Sequence, residues 1–452
     1  MPPRFGTSGL RGLVVDLTPE LVADYVAAFA ASCPMGTGLF VACDLRPSSP
    51  YIAAMVTDAG RAAGLAVTDC GDLPTPALAL AAMSARAAAV MVTGSHIPAD
   101  RNGLKFYTPD GEITKDHEVV IQAALGQELP QKSSPAIVTN GVAGAAYVAR
   151  YVDAFGGQAL TGMAIGVYSH STVGRDLLIG VLHGLGARVI ELGRSDIFIA
   201  VDTEAVDPAT RKQLRDWAAS HDLDGIMSMD GDGDRPLLAS ATGEVIPGDI
   251  LGQITGGYLG ADVAVTPVSS NTGAESVFAT VLRTRIGSPY VISGMEGTGG
   301  NVVGYEANGG FLLGFASSGL TPLMTRDSLL PLIVPMICAQ GQGLDSVVAG
   351  QPARFTAADR LQEVPVEKSK AIIAEFVTNH AVLESFLSRF GGVAAGLDST
   401  DGLRVTLQDG RIVHLRPSGN APECRFYAEA DNAVVAQDTL IAGLAALRAH
   451  LG

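Results

Sequence analysis

The chain has 452 residues, of which 47% are hydrophobic and 17% charged, and its formal net charge is −16. That length calls for about three or four domains, and the acidic balance excludes a general nucleic-acid-binding or anionic-membrane surface. The apolar runs are broken by Gly or Pro short of a membrane span. The five cysteines form no CxxC pair and are expected to be reduced, and Met1-Pro2-Pro3-Arg4 lacks the apolar core of a secretion signal, so a cytoplasmic protein is expected.

In chain order, Arg4-Phe-Gly-Thr-Ser-Gly-Leu-Arg11-Gly12 reads as an arm whose glycines allow close approach to a ligand and whose Arg11 suits phosphate; an ordinary glycine-rich arm explains it equally well. Thr18-Pro19-Glu20 opens a helix with a cap, a first-turn proline and an acid at the positive dipole end. Three segments then follow one plan of strand, Ser-rich loop, helix and strand. They start at Leu39–Cys43, Ala164–Tyr168 and Val263–Val265, and their second strands are expected at Ala66–Cys70, Arg188–Leu192 and Tyr290–Ser293. In the third copy, Val277, Val281 and Leu282 are expected on the intervening helix. Such βαβ units imply parallel sheets and three related α/β domains.

The remainder differs. Leu403–Leu407 and Ile412–Leu415 flank Gln408-Asp-Gly-Arg411, an Asp-Gly hairpin. Arg425–Ala430 reads as another strand and Val434–His450 as a closing helix, giving a fourth, α+β domain. Linkers near 132–140, 237–243 and 345–352 place the domains at 1–136, 137–240, 241–348 and 349–452.

Three loops carry candidate chemistry. The apolar run Ala87–Val92 stops at Thr93-Gly94-Ser95-His96-Ile97-Pro98, so a buried strand delivers Ser95 into a polar loop. Ser95 is a candidate phosphoryl carrier, with His96 beside it; alone, a turn or cap serine fits as well. Next, Leu223–Met229 runs into Asp230-Gly231-Asp232-Gly233-Asp234-Arg235. Alternate residues of an extended chain share a side, and three gathered carboxylates repel unless a cation sits among them. Oxygen ligands favour Mg²⁺ or Ca²⁺. An EF-hand fails, because Arg235 stands where its glycine belongs and Ala241 where its last glutamate belongs; a solvated acidic turn is the plainer alternative. Third, Arg416-Pro-Ser418-Gly419-Asn420-Ala-Pro-Glu-Cys-Arg425 offers hydroxyl, amide and N–H donors between two arginines, an anion nest or a plain β-turn.

Together, TGSHIPADRNGLK, DGDGDR and RPSGNAPECR resemble, in order and spacing, the α-D-phosphohexomutase superfamily of phosphoglucomutase and phosphomannomutase enzymes, over essentially the whole chain. The resemblance implies three similar mixed α/β domains and a C-terminal domain like the TATA-box-binding protein, around a central cleft. It implies Ser95 as phosphoserine, and Mg²⁺ on Asp230, Asp232, Asp234 and the Ser95 phosphate. Lys105 matches the active-site lysine, Arg11 the arginine near the phosphoserine, and Arg235 the arginine after the metal aspartates. Arg416, Ser418, Gly419, Asn420 and Arg425 match the loop holding the non-reacting phosphate.

The implied reaction interconverts hexose 1- and 6-phosphates through a bisphosphate, with hexose 1,6-bisphosphate as activator, in a monomer or homodimer that binds sugar phosphates and neither nucleic acid nor membrane. Against the family's Gly-Glu-x-Ser-Gly-His sugar loop stands Phe315-Ala316-Ser317-Ser318-Gly319-Leu320, in which only Ser318 and Gly319 persist. Phosphomannomutase, with or without phosphoglucomutase activity, is the expectation from general resemblance. Phosphoglucosamine mutase, a weakened sugar-phosphate-binding paralogue and a phosphatase are the alternatives.

Overall fold

A computed structural model describes residues 3–6, 9–127, 136–418 and 422–451. Four sheets follow one another along the chain. In the first, the parallel strands Ala88–Val92, Leu39–Cys43, Val67–Asp72 and Val138–Thr139 lie side by side. Arg101–Thr108 pairs antiparallel with Ala88–Val92, and Leu10–Leu13 and Arg4–Phe5 extend that edge. The second sheet runs Arg188–Leu192, Ala164–Tyr168, Gly225–Met229 in parallel and ends on the antiparallel Pro236–Ser240. The third runs Thr280–Thr284, Val263–Pro267, Val302–Tyr305 in parallel, then Phe311–Leu313 and Leu323–Asp327 antiparallel. The fourth is wholly antiparallel, from Phe355–Gln362 through Glu423–Ala430, Ile412–Pro417 and Leu403–Leu407 to Ala394–Asp398. Three mixed α/β sheets and a final antiparallel one are the fold class that the family resemblance implies; the βαβ pattern alone implies parallel sheets, and each of the first three also carries antiparallel edge strands. Among the described residues no helix is long and apolar enough to cross a membrane.

Local chemistry explains most boundaries. The first helix, Pro19–Ser32, starts where expected: Thr18 Oγ1 accepts from the Leu21 N–H at 3.3 Å, and proline fills the first turn. The Asp409-Gly410 hairpin joins Leu403–Leu407 to Ile412–Pro417, and the last helix spans Ala433–Leu451.

Two expectations need correction. Tyr290–Ser293 is not a strand but lies in the helix Ser288–Glu296, whose Pro289 sits in the first turn and whose Val291, Ile292 and Met295 share a buried face. The second strand of that copy is Thr280–Thr284. The helix before it, Ala274–Val277, has only four residues, so Val281 and Leu282 belong to the strand; the β-branched run Thr-Val-Leu-Arg-Thr favours extension over helix. Residues 237–240, read as linker, are the fully buried edge strand of the second sheet, and the turn comes only at 241–243.

One apolar core is continuous across the first three units. It joins Leu78 and Ala82 of the helix Thr75–Ser84, Tyr147 and Tyr151 of Ala143–Phe155, and Leu332 and Ile333 of Leu330–Ala339. Both tyrosine hydroxyls donate to Asp327 at 2.5 Å, which ties the second unit to the last strand of the third. The fourth unit keeps its own core beneath its helices.

Two histidines are buried in polar frames. His170 Nε2 meets the Met229 carbonyl at 2.8 Å and His414 Nε2 meets the Asp401 carbonyl at 2.6 Å, and burial holds both near pKa 4. A folded pKa below the unfolded value of about 6.5 means stability that is complete above that pH and lost as pH falls toward 4. Each histidine should therefore contribute about 3 kcal/mol of acid sensitivity at most. Urea midpoints from pH 7 to 4.5 should fall less steeply in a His170→Gln/His414→Gln variant than in the parent; parallel curves would count against it.

Candidate active site

The first and second sheets aim the carboxyl ends of their parallel strands at one hollow, where open α/β sheets bind ligands. Ala88–Val92 ends and delivers Ser95; Gly225–Met229 ends and delivers Asp230. Ser95 is fully buried, and its Oγ donates to Asp230 Oδ2 at 2.5 Å. Its φ of +54° lies in the left-handed region, a conformation that costs a non-glycine residue about 1 kcal/mol and must be held by its surroundings. The approach of the two loops is so close that a Cβ on Gly231 would lie 2.6 Å from the Ser95 carbonyl oxygen, so only glycine fits there.

Asp230, Asp232 and Asp234 are all 0% exposed, and one oxygen from each lies within 4.8 Å of the others. Lys105, from the strand paired to Ala88–Val92, reaches Asp232 Oδ2 at 2.6 Å and Asp234 Oδ2 at 2.5 Å. Thr75 Oγ1 also donates to Asp232. Burial, then repulsion from Asp232 and Asp234, pushes Asp230 up to about 8. Burial opposes the charge on Asp234 too, but Arg326 and Lys105 outweigh it and hold that carboxyl below the usual range. Asp232 Oδ1 and Asp234 Oδ1 are buried with no hydrogen-bond partner among the described residues. Oxygen donors at this spacing, two of them orphaned, fit a small hard cation such as Mg²⁺.

Cations surround the same hollow. Arg235 Nε stands 4.0 Å from Asp230 and 3.9 Å from Asp234. Arg11 is held down to about 10 by burial and by the neighbouring Arg235 and Arg326, and so remains charged at neutral pH. His96 Nδ1 lies 3.3 Å from Ser95 Oγ; burial, then Arg235 and Arg11, keep its ring neutral.

Arg326 escaped the sequence reading. It is 2% exposed, and it binds Asp234 Oδ2 at 2.8 Å and Glu306 Oε2 at 3.4 Å. No local signal marks it, because it reaches the hollow only as the end of Leu323–Asp327.

Ser318 and Gly319 are not brought to this site. The strand Phe311–Leu313 runs back from the hollow, so the turn after it emerges at the opposite edge of the sheet. There Ser317 Oγ donates to the Leu259 carbonyl at 2.9 Å, and Gly319 faces Ala154. The stretch at the hollow is the preceding turn, Glu306-Ala307-Asn308-Gly309-Gly310, which leaves the carboxyl end of Val302–Tyr305. The sequence signal was present: an apolar run ending in an acid, an amide and two glycines.

In the fourth sheet Ser418 is buried and its N–H donates to the Glu423 carbonyl at 2.9 Å. Gly419 and Asn420 lie outside the described residues. Arg416 and Arg425 stand directly opposite each other, and Arg360, missed earlier, stands opposite Arg425 on its other side. Side-by-side arginines repel. Glu423 meets Arg360 at 3.3 Å and Asp401 meets Arg416 at 2.9 Å. Between this row and the second and third units lies a cavity of about 670 Å³, lined by Asp202, Glu204, Ala307, Arg360, Arg425 and Tyr427, among others. Glu204 stands exposed on the cavity wall, where crowding by the cleft and then the neighbouring Asp202 raise its carboxyl above the usual range.

The chain also matches known proteins. The family descriptions "Phosphoglucomutase/phosphomannomutase, alpha/beta/alpha domain I", "alpha/beta/alpha domain III" and "C-terminal domain" match residues 2–132, 247–355 and 356–440. A phosphomannomutase of Sinorhizobium fredii is 43% identical over the whole of both chains, and one of Salmonella muenchen is 42% identical over 99% of this chain and 96% of its own. A phosphoglucosamine mutase of Symbiobacterium thermophilum is 30% identical over 68% of this chain and 74% of its own. Among solved structures, a phosphoglucomutase/phosphomannomutase family protein of Burkholderia thailandensis shares the fold with a TM-score of 0.80 at 21% identity, covering 98% and 97% of the two chains. Parafusin from Paramecium follows with 0.70 at 14%, covering 100% and 95%. With its three loops in order, two of them meeting in one buried hollow, and with these full-length relatives, the chain belongs to the phosphoglucomutase/phosphomannomutase family, the phosphohexomutase enzymes.

Proposed function

We propose that the chain is a Mg²⁺-dependent phosphomannomutase that interconverts mannose 1-phosphate and mannose 6-phosphate through phosphorylated Ser95 and a hexose 1,6-bisphosphate. The observation that carries the chemistry is the 2.5 Å contact between Ser95 Oγ and the Asp230 carboxylate within a buried triad of acids. The choice of mannose follows the two relatives above 40% identity. The proposal includes four units divided near 140, 240 and 348, the first boundary moved from 136 because Val138–Thr139, expected in a linker, pairs with Val67–Asp72 of the first sheet, together with a cytoplasmic location and a monomer or homodimer.

Asp230, Asp232 and Asp234, with the Ser95 phosphate, would hold the ion. When bound, it supplies the positive charge that lets an anionic ester approach an anionic phosphoserine. Lys105, Arg11, Arg235 and Arg326 face the transferring group and spread its charge without rearrangement. The sugar hydroxyl bonds to phosphorus as the Ser95 Oγ–P bond breaks, and the hydroxyl proton ends on the departing Ser95 Oγ; His96, whose ring is kept neutral by burial and the arginines, orients that oxygen rather than accepting the proton. The bisphosphate then turns over in the cleft and returns its other phosphate to Ser95. Arg416, Ser418, Gly419, Asn420 and Arg425 hold the idle phosphate, with Arg360 beside them. Burial between the units keeps water from the phosphoserine.

Glu306 is proposed as the sugar-reading carboxylate in place of the Ser318–Gly319 stretch. A buried glutamate at the hollow supplies one of the two residues, the acid and the histidine of the sugar loop, whose absence was the motive for a weakened paralogue.

Three outcomes test this reading. Intact mass should show a phosphate-sized increment after incubation with hexose 1,6-bisphosphate, and Ser95→Ala should lose both the increment and isomerisation; an active Ser95→Ala would end the proposal. Asp232→Asn, or chelation of divalent ions, should cost turnover about a hundredfold, restored by Mg²⁺ in the parent only. Glu306→Gln should lower kcat/KM for mannose 1-phosphate about tenfold or more, whereas Ser318→Ala should leave it unchanged; the reverse order would return the sugar loop to 315–320.

A further inference from the structure

Directly behind Ser95 lies a side chain that touches no reacting atom. Arg46 is 1% exposed, and all its N–H groups are engaged. Nη1 donates to the carbonyls of Pro98 at 2.8 Å and Arg101 at 3.0 Å, and Nη2 to those of Ser95 at 2.8 Å and Ile97 at 2.6 Å. Nε donates to Asp44 Oδ2 at 3.2 Å. One planar fork therefore gathers four carbonyls of the serine loop, a geometry that no ammonium group reproduces. Asp44 completes the frame. It accepts from Thr93 Oγ1 at 2.6 Å and Ser49 Oγ at 2.5 Å, and Thr93 Oγ1 in turn accepts the Ser95 N–H at 2.7 Å. The loop lies so tightly on the guanidinium that a Cβ on Gly94 would come 2.6 Å from Arg46 Cζ.

The guanidinium's open face is covered from elsewhere in the chain. Its Cζ lies 4.1 Å from the centre of the half-buried Phe198 ring, a cation–π contact. Phe198 belongs to the strap of residues 193–207 that follows the strand Arg188–Leu192. The same strap sends Thr203 Oγ1 to the Asn308 carbonyl at 2.9 Å and lines the large cavity with Asp202 and Glu204. One segment thus braces the serine loop and the Glu306 turn and walls the cavity.

We infer that Arg46 and Phe198 are positioning residues for the phosphoryl transfer. The ring shields the guanidinium from water, the guanidinium fixes the serine-loop carbonyls, and those carbonyls hold Ser95 in its left-handed conformation with Oγ on Asp230. Their catalytic consequence rests on the mutase reading; their effect on loop order does not.

The test compares the full-length parent with Phe198→Ala, Phe198→Tyr and Arg46→Lys, each first checked for cooperative unfolding. In Phe198→Ala, amide hydrogen exchange across 94–101 should rise about tenfold. Its kcat for mannose 1-phosphate should fall about tenfold to a hundredfold while KM stays within about twofold, the signature of a misplaced nucleophile rather than lost binding. Phe198→Tyr should restore both. Arg46→Lys, where it folds, should show the same split more strongly; if it does not fold, the Phe198 pair alone decides. A folded Phe198→Ala with unchanged exchange, or with faster exchange and unchanged kcat, would overturn the inference. If the parent itself fails to isomerise hexose phosphates, the mutase reading falls, and the exchange measurement still decides whether the ring orders the loop.

Discussion

Three carboxylates confined to one buried hollow constrain everything else in this molecule. Asp230, Asp232 and Asp234 cannot all ionise there unless positive charge is brought close. The chain supplies part of it through Lys105 and Arg326, which reach the triad within 2.8 Å. Two carboxylate oxygens remain without a hydrogen-bond partner among the described residues and fit a divalent ion. On the proposed mechanism the same balance would serve a phosphorylated Ser95, because a dianion arriving beside three acids would otherwise be expelled.

Topology makes that balance possible. Parallel strands end on the same edge, so Ser95 and Asp230, 135 residues apart, meet at 2.5 Å. Antiparallel additions bring cations near that edge: Arg101–Thr108 runs back from it carrying Lys105, and Leu323–Asp327 runs up to it carrying Arg326. Tyr147 and Tyr151 clamp Asp327 beside Arg326, so packing between the second and third units sets the position of a charge in the hollow.

The fourth unit works differently. Its antiparallel sheet buries one face under helices and turns the other to the cleft, where Arg360, Arg425 and Arg416 stand in register. A row of like charges is unfavourable, and Glu423 beside Arg360 and Asp401 beside Arg416 offset part of it. Glu204 and Asp202 line the same cavity, so arginines and acids face one another across it.

The residues themselves determined the sequence of strands and helices, the Thr18 cap, the Asp409-Gly410 hairpin and three loops whose composition signals phosphate and metal. These are local: caps, turns and period-two runs act within a few residues, so they are legible in a string. The strand at 280–284 was misread because a short apolar run suits helix and strand alike. The Glu306 turn was passed over for a similar-looking stretch at 315–320, and only sheet direction tells which of two successive turns faces the hollow. Arg326, Arg360, and Arg46 under its Phe198 ring were decided by tertiary structure alone, because each acts on partners brought near by strand order and packing, at sequence distances where no pattern survives.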